Sequence, residues 1–284
     1  MIDSTAVKAR TSRSSFSATL AQALLFWIAS GAEAATFTVT NLADSGTGSL
    51  RQAVLDANAA AGADDVAFAP GLAGTIALTS GEIAISDSLV VNGPGLGVLT
   101  LSAHDLSRIF IVENPGAVVP IDVTLSGMTI TRGGRLSSSG MPLPYGGAVF
   151  SHGENLTIQD SVVSDSTVTS VGLPVQRNCG GNVALLGLGG ANGGTLRIVN
   201  SLLSEGRTEK GGAGGNLCVE LGTLHLERST LSGGNCGLRH AAPTSLHDLR
   251  QPVFEWTPRS GGLQSVGAGL GSDRTFDPGQ RIWR

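Results

Sequence analysis

The acidic side chains are the first place to look for chemistry. Asp64 and Asp65 stand side by side, Asp160 and Asp165 bracket one bend, and Asp87 and Asp160 hold the same place in a repeated phrase. Two carboxylates converging on one bond would support glycoside hydrolysis. Several clustered oxygen ligands with a nearby base would support Ca²⁺-assisted proton abstraction. Neither arrangement is written in the spacing. The fifth position of the phrase reads Asp87, Gly127, Asp160, Asn200 and Arg228, so acids do not stack there. Asp160 and Asp165 suit corner caps better than ligands. His152, between Ser151 and Gly153, reads as a surface imidazole. Serine is abundant, yet no G-x-S-x-G elbow is present, and neither is a P-loop or dinucleotide fingerprint. Gly211-Gly212-Ala213-Gly214-Gly215-Asn216 lacks the Asp of a Ca²⁺-binding glycine repeat. The three cysteines, Cys179, Cys218 and Cys236, come without a CxxC or a His partner. The sequence therefore assigns no catalytic, cofactor-binding or metal-binding residue.

The phrase itself says what positions these groups. Its clearest copies are Leu156-Thr157-Ile158-Gln159-Asp160-Ser161-Val162-Val163-Ser164 and Leu196-Arg197-Ile198-Val199-Asn200-Ser201-Leu202-Leu203-Ser204. Others start at Leu224, Val123 and, more weakly, Ile83. The first, third and eighth positions are aliphatic in every copy, and the fifth favours turn residues. That is strand, bend, strand, with the alternation of a half-buried strand. The copies recur after 40, 33, 40 and 28 residues, the scale of a solenoid or propeller. Gly-Gly followed by an apolar run (Gly146-Gly147, Gly180-Gly181, Gly214-Gly215) adds a third strand per repeat. Three strands per turn with uneven loops predicts an all-β parallel β-helix, a solenoid whose coils bury what no single coil can. In it Val123, Leu156, Leu196 and Leu224 form one interior column at about 4.8 Å spacing.

Four segments follow. Residues 1–34 read as a signal peptide: Lys8, Arg10 and Arg13 precede a short apolar run, and Ala32-Glu33-Ala34 fits the A-x-A rule ahead of Ala35. Residues 35–65 form an N-terminal cap strand and helix. Ser49 and Gln52 have capping-box spacing for a short capping helix over 50–61 closed by Gly62, with Leu50, Val54 and Ala57 on one face. Residues 66–236 hold the coils, with 132–145 and 186–194 as projecting loops. Residues 237–284, rich in Arg and Pro, read as an irregular tail or a truncated, out-of-frame end. Cys179 and Cys236 match in local context but sit two copies apart, roughly 9–10 Å, beyond bridging range. The cysteines read as small buried residues, at most two of them paired.

The stretch from Gly180-Gly181-Asn182 to Leu203-Ser204 resembles the coils of bacterial right-handed β-helix repeat proteins. These are secreted or cell-surface members of the pectate-lyase-like superfamily, with polymorphic outer-membrane and adhesin-like relatives. Phe37-Thr38-Val39-Thr40-Asn41 through Ser49-Leu50-Arg51-Gln52-Ala53, and then Gly62-Ala63-Asp64-Asp65-Val66-Ala67-Phe68, resemble the family's leading segment. The likeness spans about residues 36–237. It implies architecture more than chemistry, since that superfamily holds both galacturonases and proteins without known activity. The galacturonase pattern is incomplete here: Ser151-His152-Gly153 stands in place of Gly-His-Gly, and Arg197-Ile198-Val199 lacks the Lys of Arg-x-Lys.

The resulting expectation is an exported, non-enzymatic module that is extracellular, at the cell surface or periplasmic. It would bind a carbohydrate or a surface protein as a monomer. A polysaccharide lyase or glycoside hydrolase with its site in loops 132–145 and 166–178, and an inactive fragment of a larger surface protein, are the alternatives. The net charge of −4 argues against nucleic acid. The apolar run at 20–29 is too short to span a membrane, and no other stretch of the mature chain is a transmembrane candidate.

Overall fold

The computed structural model describes residues 33–117, 119–138, 144–171, 178–187, 193–209, 212, 214–234, 236–239, 246–250 and 253–255. The leader expected over 1–34 lies outside these apart from its last two residues, and so do most of the loop 186–194 and the end 256–284. The architecture belongs to the unit Ala34–Arg284.

Every pairing between the described strands is parallel, and from Asp64–Phe68 onward successive strands visit successive sheets. The first sheet stacks Thr36–Val39, Asp64–Phe68, Leu89–Asn92, Asp122–Ser126, Asn155–Gln159, Thr195–Val199, Thr223–Glu227 and Leu246–Arg250 in that order. The second stacks Gly74–Ala77, Leu99–Ser102, Thr129–Thr131, Val162–Ser164, Leu202–Ser204, Thr230–Ser232 and Val253–Glu255. The third stacks Ile83–Ile85, Phe110–Val112, Val149–His152, Val183–Leu186, Leu217–Glu220 and Cys236–Arg239. This is the strand arrangement of a parallel β-helix.

The expected column is present. Val123, Leu156, Leu196 and Leu224 are register partners in sequence and are all buried, and Leu89 precedes them. The weak copy at Ile83 was set one corner out of phase. Ile83 pairs with Phe110 in the third sheet, and Leu89 takes the place opposite Val123. The cause is physical: strand, bend, strand describes every corner of the coil, so the phrase cannot tell one corner from another. The loop expected at 132–145 is also partly a strand. Gly134–Ser138, Thr167–Val171 and Arg207–Thr208 form a fourth parallel sheet between the second and third. The coil pattern continues past 236, because backbone strands at Cys236–Arg239, Leu246–Arg250 and Val253–Glu255 add to all three main sheets.

Corners explain the fifth position. Gly127, Asp160, Asn200 and Arg228 all take the left-handed conformation (φ 65°, 49°, 46° and 47°), which Gly, Asn and Asp tolerate best. The sixth position then closes the bend. Ser161, Ser201 and Ser229 are buried, and each Oγ donates to the carbonyl two residues back (Gln159, Val199 and Glu227, at 2.7, 2.7 and 2.8 Å). Each also accepts a backbone N–H from the preceding coil: Met128 N to Ser161 Oγ (3.5 Å), Ser161 N to Ser201 Oγ (3.1 Å), Ser201 N to Ser229 Oγ (3.1 Å). At the next corner Asn182 has no exposure. Its Oδ1 accepts from Ser166 N at 3.1 Å, and its Nδ2 donates to Ser204 O at 2.8 Å and Asn216 Oδ1 at 3.0 Å. Gly181 is required beside it, since a Cβ there would stand 2.2 Å from Arg207 N.

The N-terminal end is covered by the helix α1 (Leu50–Ala59), which buries Leu50, Ala53, Val54 and Ala57. It packs on Thr36–Val39, Asp64–Phe68 and Ile83–Ile85, so it caps the first coil. It ends short of 61: the N–H of Ala60 bonds Asp56 and Ala57 carbonyls, and Gly62 lies in the turn beyond. Half of the capping box forms. Gln52 N donates to Ser49 Oγ at 3.2 Å, but the Gln52 side chain turns to Asp56. Asp44 fastens this cap. Its Oδ1 accepts from Arg51 Nη2 (2.8 Å), and its Oδ2 from Thr79 N (3.0 Å), Thr79 Oγ1 (3.0 Å) and Ser80 N (2.7 Å). Burial alone would push the carboxyl up, but the bonds from Arg51, Ser80 and Thr79 outweigh it and hold it well below the usual carboxylate range.

Two outcomes follow from these networks. Asn182→Ala removes the bonds to Ser166 N, Ser204 O and Asn216 Oδ1 and leaves Ser166 N buried without this acceptor. It should cost about 2–3 kcal/mol in urea unfolding, against under about 0.5 kcal/mol for Thr157→Ala on the outer face. Asp44 stabilises the fold above its unfolded value, about 3.9, and that stabilisation is lost as pH falls through its lower folded value. Asp44→Asn should therefore cost about 2–4 kcal/mol at pH 7 and flatten the acid limb of a stability–pH profile below about pH 5.

Candidate functional site

Where the fourth sheet begins, the chain leaves the three-sided path and returns through Tyr145 and Cys179 before each third-sheet strand. The return is built on Gly-Gly: Gly146, Gly180 and Gly214 are left-handed (φ 59°, 68°, 62°), which reverses the chain into the strand. Alternation in the third sheet sends Val149, Val183 and Leu217 to the interior. The neighbouring column of Ile111, Phe150, Ala184 and Cys218 faces out. Tyr145 and Cys179 settle on that outer column and form a second apolar cluster apart from the main core.

A disulfide joins Cys179 to Cys218 across this face, with Cα atoms 5.4 Å apart. The match drawn between Cys179 and Cys236 does not hold. Cys236 stands in register with Leu217 inside a strand, whereas Cys179 precedes its strand and bridges to Tyr145. Asn-Cys-Gly occurs in two different places of the coil, and the bondable partner of Cys179 is one coil away.

Three rings stack on this face. Tyr145 and Phe150 have centroids 5.7 Å apart at 25°, and Phe150 and His152 are 5.7 Å apart at 21°. The Arg108 guanidinium lies 5.1 Å from the Phe150 centroid. It is 3% exposed and donates from Nε to Glu82 Oε2 at 2.6 Å and from Nη1 to Tyr145 O at 2.9 Å. Arg135, on the fourth sheet, is near enough to feel both. Burial and then the charge of Arg108 push its pKa down, against an upward pull from Glu82. Its Nε is buried without a hydrogen-bond partner among the described residues. On the other flank His152 Nδ1 is 3.8 Å from Glu113 Oε2, and Tyr145 OH donates to Glu220 Oε2 at 2.6 Å.

This arrangement suits a planar anion. Arg108 is bonded to Glu82 and Arg135 feels the charge of both, and a guanidinium fork of N–H groups matches the geometry of a carboxylate or sulfate. Of the stacked rings beside it, Tyr145 and Phe150 are buried and His152 is partly exposed. Among the described residues no group of three or more His, Cys, Asp or Glu could hold a metal ion.

The acids read from the sequence lie elsewhere. Asp160 (φ 49°) and Asp165 (φ 52°) sit at opposite ends of Val162–Ser164 as left-handed corners, and Asp160 Oδ1 accepts from Asn200 Nδ2 at 2.6 Å. Asp64 and Asp65 belong to the first sheet, and Asp87 caps Ser88 N at 2.7 Å. His152 is the one residue considered beforehand that belongs to this face, and it is stacked and paired rather than isolated. Arg108, Arg135, Tyr145 and Phe150 were missed. A signal existed: in a chain with 4% aromatics, the single tyrosine, Phe150 and His152 fall within eight residues.

Reduction of Cys179–Cys218 opens a loop with a sequence separation of 39 residues. Loop-closure entropy sets the loss at up to about 4 kcal/mol, read as a lower urea midpoint with reductant. In denaturant without reductant, one thiol per chain, that of Cys236, should react with a thiol reagent. No family model and no curated protein matches this chain.

Proposed function

We propose that the chain is an exported, non-enzymatic β-helix protein acting at the cell surface or outside the cell as an adhesin-like binding module. The outer face of the third sheet is its contact site. The observation that supports this reading best is Arg108 over the Phe150 ring, with Arg135 feeling its charge and the single carboxylate of Glu82 acting on both guanidiniums. Its ligand class is a carbohydrate or surface protein that presents a carboxylate or sulfate. The likeness to secreted right-handed β-helix repeat proteins supports export, as does the leader-like segment 1–34. Among the described residues no helix is long and apolar enough to cross a membrane.

A carbohydrate-active enzyme is the second reading, and the His152–Glu113 pair beside Tyr145 and Glu220 favours it. Arrays of neutral, uronate and sulfated glycans, together with matrix proteins, separate the two. Binding should prefer the anionic probes and weaken at least about tenfold in Arg135→Ala, the loss of one charge-assisted contact. Indifference of every array to the wild-type protein would sink the binding reading. Turnover of a glycan that disappears in His152→Ala and persists in Asp160→Asn would put the enzyme first.

A further inference from the structure

The backbone just before the first strand meets a buried acid. Ala35 is half-buried at the start of the first sheet, where its carbonyl accepts from Asp65 N at 2.8 Å. Its own N–H donates to Asp64 Oδ1, also at 2.8 Å. Asp64 is only 2% exposed, and its Oδ2 is buried with no hydrogen-bond partner among the described residues. A carboxylate in such a place is unfavourable unless a cation or further donors offset its lost hydration. An amide nitrogen has one hydrogen to give and no charge. An ammonium at the same point has three hydrogens and a full positive charge.

The sequence supplies a way to make that exchange. Ala32-Glu33-Ala34 fits a leader cleavage site, and the bond it marks, Ala34–Ala35, contains the nitrogen that touches Asp64. We propose that cleavage at this bond makes the new α-ammonium of Ala35 the counter-ion of buried Asp64, so that maturation completes the first coil. The inference rests on the export reading of residues 1–34. Chemically, a leader peptidase hydrolyses the Ala34–Ala35 amide. Water adds its oxygen to the Ala34 carbonyl carbon, the C–N bond breaks, and the nitrogen leaves as an amine that takes up a proton. Ala34 departs as the carboxylate end of the leader, together with the exposed Glu33.

The electrostatic surroundings leave this pair isolated. Asp65 on the same strand and Asp87 on the turn before Leu89–Asn92 are further acids, and Asp87 is bonded to Ser88 N. On α1, Arg51 is engaged by Asp44 and Asp56 by Gln52. An α-amine ordinarily titrates near 7.7–8.0, and a facing carboxylate raises that value in the folded chain. The pair's contribution is therefore fully present below about pH 8 and is lost as pH rises through the raised folded value.

The test uses the full-length chain, expressed in a bacterial host that can export it, and the product recovered from outside the cytoplasm. Intact mass should show a chain beginning at Ala35. Acylation of its α-amine at pH 7.5, followed on the N-terminal peptide, should be at least about tenfold slower in the folded protein than in urea, one unit of pKa being a factor of ten. The stability advantage of wild type over Asp64→Asn should shrink by about tenfold in the unfolding constant between pH 7 and 11. A product that starts at another residue overturns the inference. So does a chain that starts at Ala35 but acylates as fast folded as unfolded, and that result leaves export standing. A chain that stays full length inside the cell sinks both readings. If Asp64→Asn does not fold, the acylation rate of the wild-type protein decides alone.

Discussion

Everything in this fold depends on the corners being satisfied in register from coil to coil. Parallel strands pair readily along their length, but each bend exposes backbone groups toward a dry interior, where an unmet donor or acceptor is costly. The chain answers with hydroxyls and amides that both donate and accept. Ser161, Ser201 and Ser229 each close their own bend and take an N–H from the coil before. Asn182 and Asn216 do the same one corner on, and Asn182 hands its amide to Asn216. Aliphatic columns supply the driving force, yet they would tolerate sliding by a residue pair. The polar ladders do not, because a slip would strand every serine at once.

This explains what could be read from the residues and what could not. Aliphatic spacing and the turn residue at the fifth position are properties of a single coil, so Leu156, Leu196 and Leu224 declared themselves. Phase is not such a property. Ile83-Ala84-Ile85 followed by Asp87 satisfies the same local rule at a different corner, and only pairing with Phe110–Val112 shows where it belongs. The fourth sheet was hidden for a related reason. Gly134–Ser138 has one Gly and two Ser in five residues and no aliphatic alternation. At Cys236–Arg239 and Leu246–Arg250 the backbone continues the ladder although the phrase has ended, which means that edge pairing carries those strands rather than pattern.

The candidate site was the hardest part to foresee, since it belongs to no single repeat. Arg108 comes from the turn before one third-sheet strand and Phe150 from the strand of the next coil. Tyr145 comes from the return, and Arg135 comes from the fourth sheet. They meet because the excursion through that sheet forces the chain to re-enter across the outside of the third. Only a sheet with an excursion beside it gains a covered outer face. The outer columns of the first sheet, Thr124, Thr157, Arg197 and His225, have no such cover and form no apolar cluster.

Charge placement carries the same logic further. Stacked coils bring equivalent positions to about 4.8 Å, so a charge repeated from coil to coil would repel its copy in a poorly screened interior. A hydroxyl or amide can repeat indefinitely, because its donor and acceptor point along the stack. Buried charge is therefore confined to places where repetition stops. Among the described residues the buried charged side chains are Asp64, Arg108 and Glu154. Asp64 meets the chain's entry at Ala35, and Arg108 meets Glu82 beside the excursion. Glu154 holds the loop between Asn114 and Ile121 by accepting both of their N–H groups, at 2.9 and 2.7 Å. Each marks a break in the periodic structure. In a solenoid the search for chemistry therefore belongs at the breaks, since the repeating positions, even when acidic as at Asp160, are committed to holding one coil on the next.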